Sequence, residues 1–398
     1  MIRIALLTTS ARAYGGDSYV RRLLPALRRY GAGAHFSVIA CDPKYTMLVP
    51  EGDALRFVRV DGRLLRSGMG RLVWQQLVLP RLLRRLEVDV VYSANNVGIV
   101  RSPVPCVVAI RNMEPLAAPL AGMRPRLRTR VLLLRWLTLL SIARAGRVVA
   151  VSRFVRDHLV HRGVPREKID VIYHGADGLP PDQDGDVRGG TGIVSASKFV
   201  RYANLTTLMR GYATSRARGV SDPLIFAGGP WDTRYEAEVR DLARRLGIEP
   251  YVRFLGYVSH EELLRLARRC RVFVFPSTLE ACPFTLLEAM ACGAPIITTV
   301  AGPMPEIAGD AALYFDPTDT ETLADHIRRL ADDDALRVEF ASRARERAKA
   351  FRWKDNVERL IATARRAPGP PDPEDSGHTA VPMAGVVPCL AFLARLPS

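Results

Sequence analysis

The stretch from Arg271 to Thr299, RVFVFPSTLEACPFTLLEAMACGAPIITT, constrains the fold more than any other part of the chain. Its pattern predicts a buried strand over Val272–Phe275, a loop that carries Glu280, a helix that begins near Phe284 and a second strand over Ile296–Thr299. This order is a βαβ unit, which requires a parallel sheet. Open parallel sheets bind their ligands beyond the carboxyl ends of the strands.

Two carboxylates, Glu280 and Glu288, flank the predicted start of that helix. The first N–H groups of a helix have no acceptor within it, so those at this helix start are predicted to bind phosphate. A carboxylate repels phosphate and accepts hydrogen bonds, which makes sugar hydroxyls its expected partners. The alternative is structural, with Glu280 as a loop charge and Glu288 as a helix cap.

The rest of the chain alternates short apolar runs with helical patterns, which predicts parallel sheets covered by helices on both faces. The predicted strands are 2–8, 36–40, 55–60, 88–92, 104–110, 148–151, 192–196, 224–227, 252–255, 272–275, 296–299 and 312–315. The predicted helices are 17–30, 70–86, 124–143, 153–163, 203–218, 232–246, 259–268, 319–331, 335–350 and 354–366. Gly15 and Gly16 precede the first helix, in a turn predicted to let a diphosphate or an acceptor approach the backbone. A plain turn is the alternative.

The fold class predicted from this alternation is α/β, with two tandem Rossmann-like, doubly wound domains and a ligand crevice between them. The domains are expected at 1–178 and 192–353, joined by an exposed Pro-, Gly- and Asp-rich linker at 179–191. Helix 354–366 is expected to pack back toward the N-terminal domain. The remainder, 367–398, is predicted to be a disordered tail, or else a docking segment for a partner or a membrane.

Composition narrows the functional classes. Residues 1–178 hold 29 Lys and Arg against 12 Asp and Glu, whereas residues 179–398 hold 28 against 29, so the net charge of +16 lies in the first half. Six scattered cysteines without a CxxC pair favour reduced thiols and no zinc site. No signal peptide or membrane-spanning run is recognised, which predicts a cytoplasmic protein.

The stretch 279–299 resembles the donor-binding signature of the GT4-type retaining glycosyltransferases of the GT-B fold. That signature is Glu, seven residues, Glu, then Ala-Met-Ala-x-Gly-x-Pro. Further similar blocks lie in order at 15–16, 151–154, 172–177, 226–230, 252–258 and 302–307, so the resemblance covers most of residues 1–360.

The resemblance implies roles for the singled-out residues. Glu280 is expected to contact the donor sugar in a catalytic role and Glu288 the ribose. The N–H groups of Phe284, Thr285 and Leu286 at the helix start are expected to face the donor diphosphate. Gly228 and Tyr257 belong to family blocks that face the donor, the latter near the base. The resemblance implies no metal and no cofactor, because the substrate itself is a nucleotide-diphosphate sugar.

The chain departs from the family pattern at positions that are expected to bind the donor diphosphate. The family places an Arg and then a Lys after the first strand of the second domain, where this chain has Lys198 and Ala203. Arg201 either supplies the missing charge or is a solvated surface residue. Pro283 also removes one N–H group from the segment between the two glutamates.

In the first domain, Arg111 stands where many relatives carry a histidine, with Asn112 beside it. Arginine cannot act as a base near neutral pH, but it can hold a phosphate or an acceptor hydroxyl. We therefore predict a catalytic role for both residues. The alternative is that Arg111 only pairs with Glu114.

The predicted function is transfer of a sugar, with retention, from a nucleotide-diphosphate sugar to a glycan or lipid-linked acceptor. Two alternatives are a non-catalytic subunit of the same fold that binds a partner or membrane, and a sugar-nucleotide epimerase. Residues 120–147 contain seven arginines and no acid around an apolar run, which suits peripheral binding to an anionic membrane surface or a core helix with basic ends. No nucleic-acid-binding motif is present, so nucleic acid is not an expected partner.

Overall fold

The computed structural model of the chain describes residues 1–9, 14–48, 52, 54–118, 120, 123, 125–179, 192–229 and 231–369. The chain divides into two compact units, Met1–His174 with the segment from Trp353 onward, and Gly175–Arg352. Nearly all of the predicted linker and most of the predicted tail lie outside the described residues.

The first unit is built on a parallel sheet that, in the described part, has seven strands in the order β3-β2-β1-β4-β5-β6-β7. Its strands are β1 (Ile2–Leu7), β2 (Ala34–Ala40), β3 (Leu55–Arg59), β4 (Val90–Ser93), β5 (Cys106–Ile110), β6 (Arg147–Ala150) and β7 (Ile169–Val171). Its helices up to that point are α1 (Tyr14–Tyr30), α2 (Gly68–Leu77), α3 (Leu79–Arg85), α4 (Glu114–Ala117), α5 (Pro125–Arg144) and α6 (Arg153–Val160). Short 3₁₀ helices lie at Pro43–Leu48, Arg63–Arg66 and Arg166–Lys168. The chain order reverses beside β1, so the carboxyl ends of β1 and β4 flank the switch point where open sheets bind ligands.

The second unit repeats this arrangement with six described strands in the order β10-β9-β8-β11-β12-β13, again all parallel. Its strands are β8 (Ile193–Ala196), β9 (Leu224–Ala227), β10 (Val252–Gly256), β11 (Val272–Phe275), β12 (Ile296–Thr299) and β13 (Ala312–Phe315). Its helices are α7 (Leu205–Ala217), α8 (Thr233–Arg245), α9 (His260–Arg269), α10 (Phe284–Ala291), α11 (Met304–Ala308), α12 (Thr320–Asp332) and α13 (Asp334–Ala348), with 3₁₀ helices at Arg201–Ala203 and Glu249–Tyr251. The central strands are fully buried because helices cover both faces, which explains their uniformly apolar sequences.

The last described helix, α14 (Trp353–Arg365), belongs to the first unit. Its first residue places the Trp353 ring 5.9 Å from the Tyr19 ring of α1. The Asn356 side-chain amide donates to the Tyr173 carbonyl oxygen at 2.6 Å, and the Arg365 guanidinium donates to the Gly33 carbonyl oxygen at 3.1 Å. These contacts attach the end of the described chain to the unit in which the chain begins.

Two local predictions were wrong, and three short elements were not predicted. Gly15 and Gly16 lie within the first turn of α1 and not in a turn before it, because the helix begins at Tyr14. The single helix expected at 70–86 is broken at Val78, where a second helix begins with Pro80 at its second position. The strand β7 and the helices α4 and α11 were not predicted, since elements of three to five residues are too short to show a period.

Candidate functional site

The loop after β11 positions Glu280 through hydrogen bonds to the segment after β8 and to the end of β12. The Thr278 N–H group donates to the Tyr202 carbonyl oxygen at 2.7 Å, which ties the loop to the segment after β8. The Thr299 hydroxyl, at the end of β12, donates to the Ser277 carbonyl oxygen at 2.7 Å. The Ser277 hydroxyl then donates to Glu280 Oε1 at 2.9 Å, so the carboxyl group has a fixed position at the carboxyl edge of the sheet.

The environment of Glu280 favours its neutral form. Burial raises the pKa of this carboxyl group from 4.5 to about 7, although the Ser277 hydrogen bond and the positive charge of Lys198 act in the opposite direction. Near neutral pH the group therefore exists in both protonation states. Such a carboxyl group can accept a hydrogen bond from a sugar hydroxyl or donate one to it.

Lys198, which follows β8, lies with its ammonium nitrogen 4.5 Å from the centre of the Trp231 ring. A cation over an indole face is held in place by the ring quadrupole. Because this charge also acts on Glu280, the segments after β8, β9 and β11 converge on one region of the second unit. The positive charge predicted to hold a diphosphate is thus close to the predicted sugar-binding carboxyl group.

Arg201 and Ala203, which also follow β8, contact other parts of the unit. Arg201 donates to the Glu238 carboxylate of α8 at 2.9 Å and its side chain is 69% exposed, which favours the surface interpretation of this residue. Ala203 is 2% exposed and packs in the hydrophobic core of the unit. A lysine at position 203 would therefore begin within apolar surroundings.

Gly228, at the end of β9, has a conformation that only glycine adopts readily, with φ at +149°. A Cβ atom there would lie 1.9 Å from the Ser197 carbonyl oxygen. The Gly228 N–H group donates to the Gly256 carbonyl oxygen at 2.8 Å, so it joins the segment after β9 to the end of β10. Tyr257, the next residue after β10, is 77% exposed. Gly228 thus shapes the backbone of the site, whereas Tyr257 lies at its surface.

The N-terminus of α10 lies directly after the Glu280 loop. Pro283 is the N-cap residue and makes no side-chain cap, and the first intrahelical hydrogen bond runs from the Leu287 N–H group to the Pro283 carbonyl oxygen at 3.2 Å. The N–H groups of Phe284, Thr285 and Leu286 therefore precede the first bond within the helix. Together with the helix dipole, they form a site suited to an anion.

Glu288, in the second turn of α10, is 5% exposed, and its Oε1 lies 3.3 Å from His260 Nε2 at the first position of α9. His260 was not predicted from the sequence, because no local pattern links it with Glu288. The pair places a carboxylate and an imidazole side by side, which offers an acceptor and a donor to a vicinal diol. The structure thus supplies a partner to Glu288 that a helix-capping role would not need.

In the first unit, the loops after β4 and β5 hold the segment that contains Arg111 and Asn112. The backbone N–H groups of both residues donate to Asn96 Oδ1 at 3.0 Å, and Asn96 Nδ2 donates to the Asn112 carbonyl oxygen at 2.6 Å. The Asn112 side chain accepts from the Glu114 N–H group at the start of α4. Asn112 therefore orders the turn, and Asn96 is a further positioning residue that the sequence analysis did not single out.

The Arg111 guanidinium lies 3.6 Å from the centre of the Tyr19 ring and donates to the Ala94 carbonyl oxygen at 3.1 Å. Its charge also acts on His174, Tyr19 and Tyr92. Burial, with the Arg111 charge, keeps the pKa of His174 well below 6.5, and burial raises the pKa of Tyr19 and of Tyr92. Arg111 is therefore a fixed positive charge among neutral aromatic side chains.

The predicted residues thus fall into two groups. Lys198, Gly228, Glu280 and the start of α10 converge on the carboxyl edge of the second sheet, with the pair formed by Glu288 on the same helix. Arg111 and Asn112 lie at the carboxyl edge of the first sheet, and Gly15 and Gly16 lie in the first turn of α1. Among the described residues, no group of three or more His, Cys, Asp or Glu could hold a metal ion.

Two family models match the chain. The model described as "Glycosyl transferases group 1" matches residues 188–347, and the model described as "Glycosyltransferase Family 4" matches residues 14–177. Together they cover both units and both groups of candidate residues. The chain belongs to the group 1, family 4 glycosyltransferases. The resemblance drawn from Glu280, Glu288 and the following Ala-Met-Ala segment is confirmed.

Curated relatives match over part of their length. The O-antigen chain mannosyltransferase B of Escherichia coli is 36% identical over 140 residues, which are 35% of this chain and 36% of that protein. The D-inositol 3-phosphate glycosyltransferase of Corynebacterium kroppenstedtii is 29% identical over 235 residues, 54% of this chain and 52% of that protein. The chain thus spans between about a third and a half of these relatives.

Solved structures share the fold over nearly the whole length. The sucrose-phosphate synthase of Thermosynechococcus elongatus superposes with a TM-score of 0.70 at 20% identity, covering 92% of this chain and 99% of that one. Anabaena HepE in complex with UDP gives a TM-score of 0.67 at 20% identity, covering 91% and 98%. These likenesses and the two parallel sheets confirm the predicted GT-B fold class.

Proposed function

We propose that the chain transfers a sugar from a nucleotide-diphosphate sugar to a glycan or lipid-linked acceptor, with retention at the anomeric carbon. The observation that carries this proposal is the convergence of Glu280, Lys198 and the N-terminus of α10 in the second unit. The Glu280 carboxyl group, which is suited to sugar hydroxyls, lies there near the Lys198 ammonium group and the first N–H groups of α10, which are suited to phosphate. Membership of a family of glycosyltransferases supports the same reading.

In the proposed reaction, the acceptor hydroxyl oxygen bonds to the anomeric carbon on the face from which the diphosphate leaves. The bond between the anomeric carbon and the diphosphate oxygen breaks, and the acceptor proton passes to the leaving phosphate. The residues of the chain orient the donor and stabilise the charge that develops on that phosphate. Lys198 and the α10 N–H groups serve the phosphate, Glu280 a sugar hydroxyl, and Glu288 with His260 the ribose. No metal or cofactor enters this scheme.

The position of Arg111 favours an acceptor that carries a negative charge. A guanidinium that is fixed over Tyr19 among neutral side chains is suited to a phosphate or carboxylate oxygen pair. One relative is named for an O-antigen chain and another for inositol 3-phosphate, so both glycan and phosphorylated acceptors occur among similar proteins. We therefore include a phosphorylated acceptor in the proposal, with Asn112 holding the Arg111 turn in place.

The test begins with the purified full-length chain and a panel of UDP, GDP and dTDP sugars. Thermal shift identifies the donor, because a ligand of the folded state raises the melting temperature. Hydrolysis and transfer are then followed with lipid-linked, phosphorylated and neutral glycan acceptors. Glu280→Ala and Glu288→Ala should lower turnover by about 100-fold or more, a loss of about 3 kcal/mol of transition-state stabilisation.

Matched controls separate the roles. Glu261→Gln, at an exposed position of α9, should leave donor binding and turnover unchanged. Arg111→Lys keeps the charge but loses the planar contact with Tyr19, and it should raise the acceptor KM while donor binding stays the same. Unchanged kinetics in Arg111→Lys with a phosphorylated acceptor would contradict the acceptor assignment alone.

The same assay distinguishes the alternatives. Donor binding without turnover for any acceptor, together with retained partner or membrane binding, indicates a non-catalytic subunit. Isomerisation of the donor sugar in the absence of acceptor indicates an epimerase. If no donor binds and neither glutamate variant differs from the unmodified chain, the proposed function is wrong.

Peripheral binding to an anionic membrane from the cytoplasmic side is part of the proposal. In the described part of 120–147, the arginines at the start of α5 are exposed, including Arg126, Arg128 and Arg130. Others are structural, since Arg135 donates to the Pro115 and Ala118 carbonyl oxygens and Arg147 pairs with Asp170 at 2.8 Å. No described helix is long and apolar enough to cross a bilayer. The exposed start of α5 therefore offers charge to a surface.

A further inference from the structure

Lys198 and Trp231 follow neighbouring strands of the second sheet, β8 and β9. Backbone hydrogen bonds join the two loops that carry them. The Phe199 N–H group donates to the Gly229 carbonyl oxygen at 3.4 Å, and the Asp232 N–H group donates to the Phe199 carbonyl oxygen at 3.0 Å. The backbone positions of Lys198 and Trp231 are therefore fixed relative to each other.

The residue that follows each of these side chains is anchored in the unit. Phe199, which follows Lys198, is 2% exposed, and its ring lies 6.1 Å from the Phe226 ring. Asp232, which follows Trp231, is the N-cap of α8, and its carboxylate accepts hydrogen bonds from two N–H groups of the first turn at 3.0 and 3.3 Å. The contact between Lys198 and Trp231 thus depends on the conformation of the two side chains and not on movement of the loops.

Trp231 attracts the Lys198 ammonium group without neutralising its charge. The ammonium nitrogen lies 4.5 Å from the centre of the indole ring, within the range at which the ring quadrupole attracts a cation. A carboxylate in the same place would also hold the lysine, but its negative charge would repel a phosphate group. Trp231 is 53% exposed and Lys198 is half-buried, so the contact lies at the surface of the unit, where a dissolved anion can reach it.

A fixed position matters more for a lysine at this site than it would for an arginine. An arginine presents a planar fork that binds two oxygens at once, whereas a lysine is a point charge on a flexible four-carbon stem. Lys198 stands where the family has an arginine, and the next family cation is replaced by Ala203, which is buried. The Arg201 guanidinium pairs with Glu238. Orientation of Lys198 by a neutral ring would therefore offset part of the difference from the family pattern.

We propose that Trp231 is a positioning residue, which holds the Lys198 ammonium group in the place where it binds the donor diphosphate. The inference rests on the proposed function for the identity of that ligand. An ammonium group has three N–H donors, so it can keep its contact with the indole face and donate to phosphate oxygens on another side. Trp231 acts through Lys198 and makes no contact with the diphosphate itself.

The experiment is isothermal titration of the full-length chain with inorganic pyrophosphate, which carries neither a base nor a sugar. Trp231→Leu should weaken binding about 3- to 30-fold, the range of a cation–π contact between exposed and desolvated sites. Trp231→Phe keeps an aromatic face and should lose less. The matched control is Tyr251→Leu, because Tyr251 is 43% exposed, lies before β10 at the amino edge of the sheet and has the Arg216 guanidinium 3.5 Å from its ring centre. The control should bind pyrophosphate as the unmodified chain does.

A double-mutant cycle separates positioning from direct contact. In a Lys198→Met chain, Trp231→Leu should cause little further loss of pyrophosphate affinity, because its effect passes through the ammonium group. A second measurement needs no ligand. The Lys198 charge lowers the pKa of Glu280, so release of the lysine by Trp231→Leu should raise the pKa of that carboxyl group, as Lys198→Met should. Carbon-13 NMR of labelled glutamate measures this pKa, with Glu280→Gln to assign the signal.

The inference is wrong if pyrophosphate does not bind the unmodified chain, or if Trp231→Leu leaves its affinity unchanged while circular dichroism shows that the variant is folded. It is also wrong if the loss is as large in the Lys198→Met chain, which would indicate direct contact with the ligand, or if the pKa of Glu280 stays the same in Trp231→Leu. Failure of the proposed function gives a different result. A chain that binds pyrophosphate through Lys198 and Trp231 but transfers no sugar would retain the inference and lose the transferase reaction.

Discussion

The protonation of Glu280 gives the sharpest prediction. Its pKa is raised from 4.5 to about 7 by burial, so the folded chain binds this proton more tightly than the unfolded chain does. The stability associated with the proton is present at acid pH and is lost as the pH rises through the folded pKa near 7. For a fully buried group, this pKa difference corresponds to about 3 kcal/mol of unfolding free energy. Because the Glu280 side chain is partly exposed, we expect about 2–3 kcal/mol.

Glu280→Gln removes the titration while keeping the size of the group. Gln also changes the hydrogen bond with Ser277, but that effect is the same at every pH. The melting temperature of the variant minus that of the unmodified chain should therefore rise by roughly 5–10 °C between pH 4.5 and pH 8. Differential scanning calorimetry of the full-length chain measures this difference, and Glu261→Gln, an exposed acid, should show a flat profile.

A constant difference across this pH range would refute the reasoning, because it would mean that Glu280 titrates as an ordinary carboxyl group. A difference that falls with pH would also do so, since it would require a lowered pKa. Lys198→Met should steepen the profile, because the ammonium charge is one of the two influences that favour the ionised form.

Three further substitutions test the geometry of the second unit. Gly228→Ala should cost more than about 3 kcal/mol of unfolding free energy, since its Cβ would clash with backbone, whereas Gly219→Ala, with φ at +100° and nothing within 4 Å, should cost only about 1 kcal/mol in urea unfolding. Arg337→Met should cost about 2–4 kcal/mol, because the buried guanidinium donates to two carbonyl oxygens at the end of α12 at 2.7 and 2.9 Å. Ala203→Lys should lower the melting temperature and not raise turnover, because the new ammonium group starts within the core.

Each of these has an outcome that would contradict it. Equal costs for the two glycine variants would mean that the loop beside Ser197 can move aside. Arg343→Met, an exposed arginine paired with Glu339, is the control for Arg337→Met and should change stability by less than about 0.5 kcal/mol. Raised turnover with an unchanged melting temperature in Ala203→Lys would restore the family interpretation of that position.

The sequence predicted the buried strands of the second unit closely because each is a short apolar run bounded by glycine or proline. The strands over Val272–Phe275 and Ile296–Thr299 have the predicted ends. At Gly15 and Gly16 the same reasoning failed, since glycine signals a turn in sequence but is also tolerated in the first turn of a helix.

The individual residues of the candidate site could be predicted from the sequence, but the contacts between them could not. Sequence order places Glu280 and Glu288 around a helix start. Lys198 acts on Glu280 because β8 lies beside β11 in the sheet, and no local sequence pattern shows that strand order. His260 reaches Glu288 from the start of another helix for the same reason.

Relative to the family pattern, the chain lacks two groups expected to bind the diphosphate, a main-chain N–H group at Pro283 and a cation at position 203. The neutral form of Glu280 compensates for part of this difference, because it does not repel the diphosphate. A site with one lysine and one helix N-terminus binds a diphosphate better when the adjacent carboxyl group is neutral, and the negative charge of the diphosphate would raise the pKa of Glu280 further. If the proposed donor binds there, its binding takes up a proton, and its affinity should fall as the pH rises above 7. Isothermal titration at pH 7.5 in buffers of different ionisation enthalpy measures that uptake. Zero uptake in the unmodified chain, or the same uptake in Glu280→Gln, would show that the carboxyl group and the diphosphate do not interact.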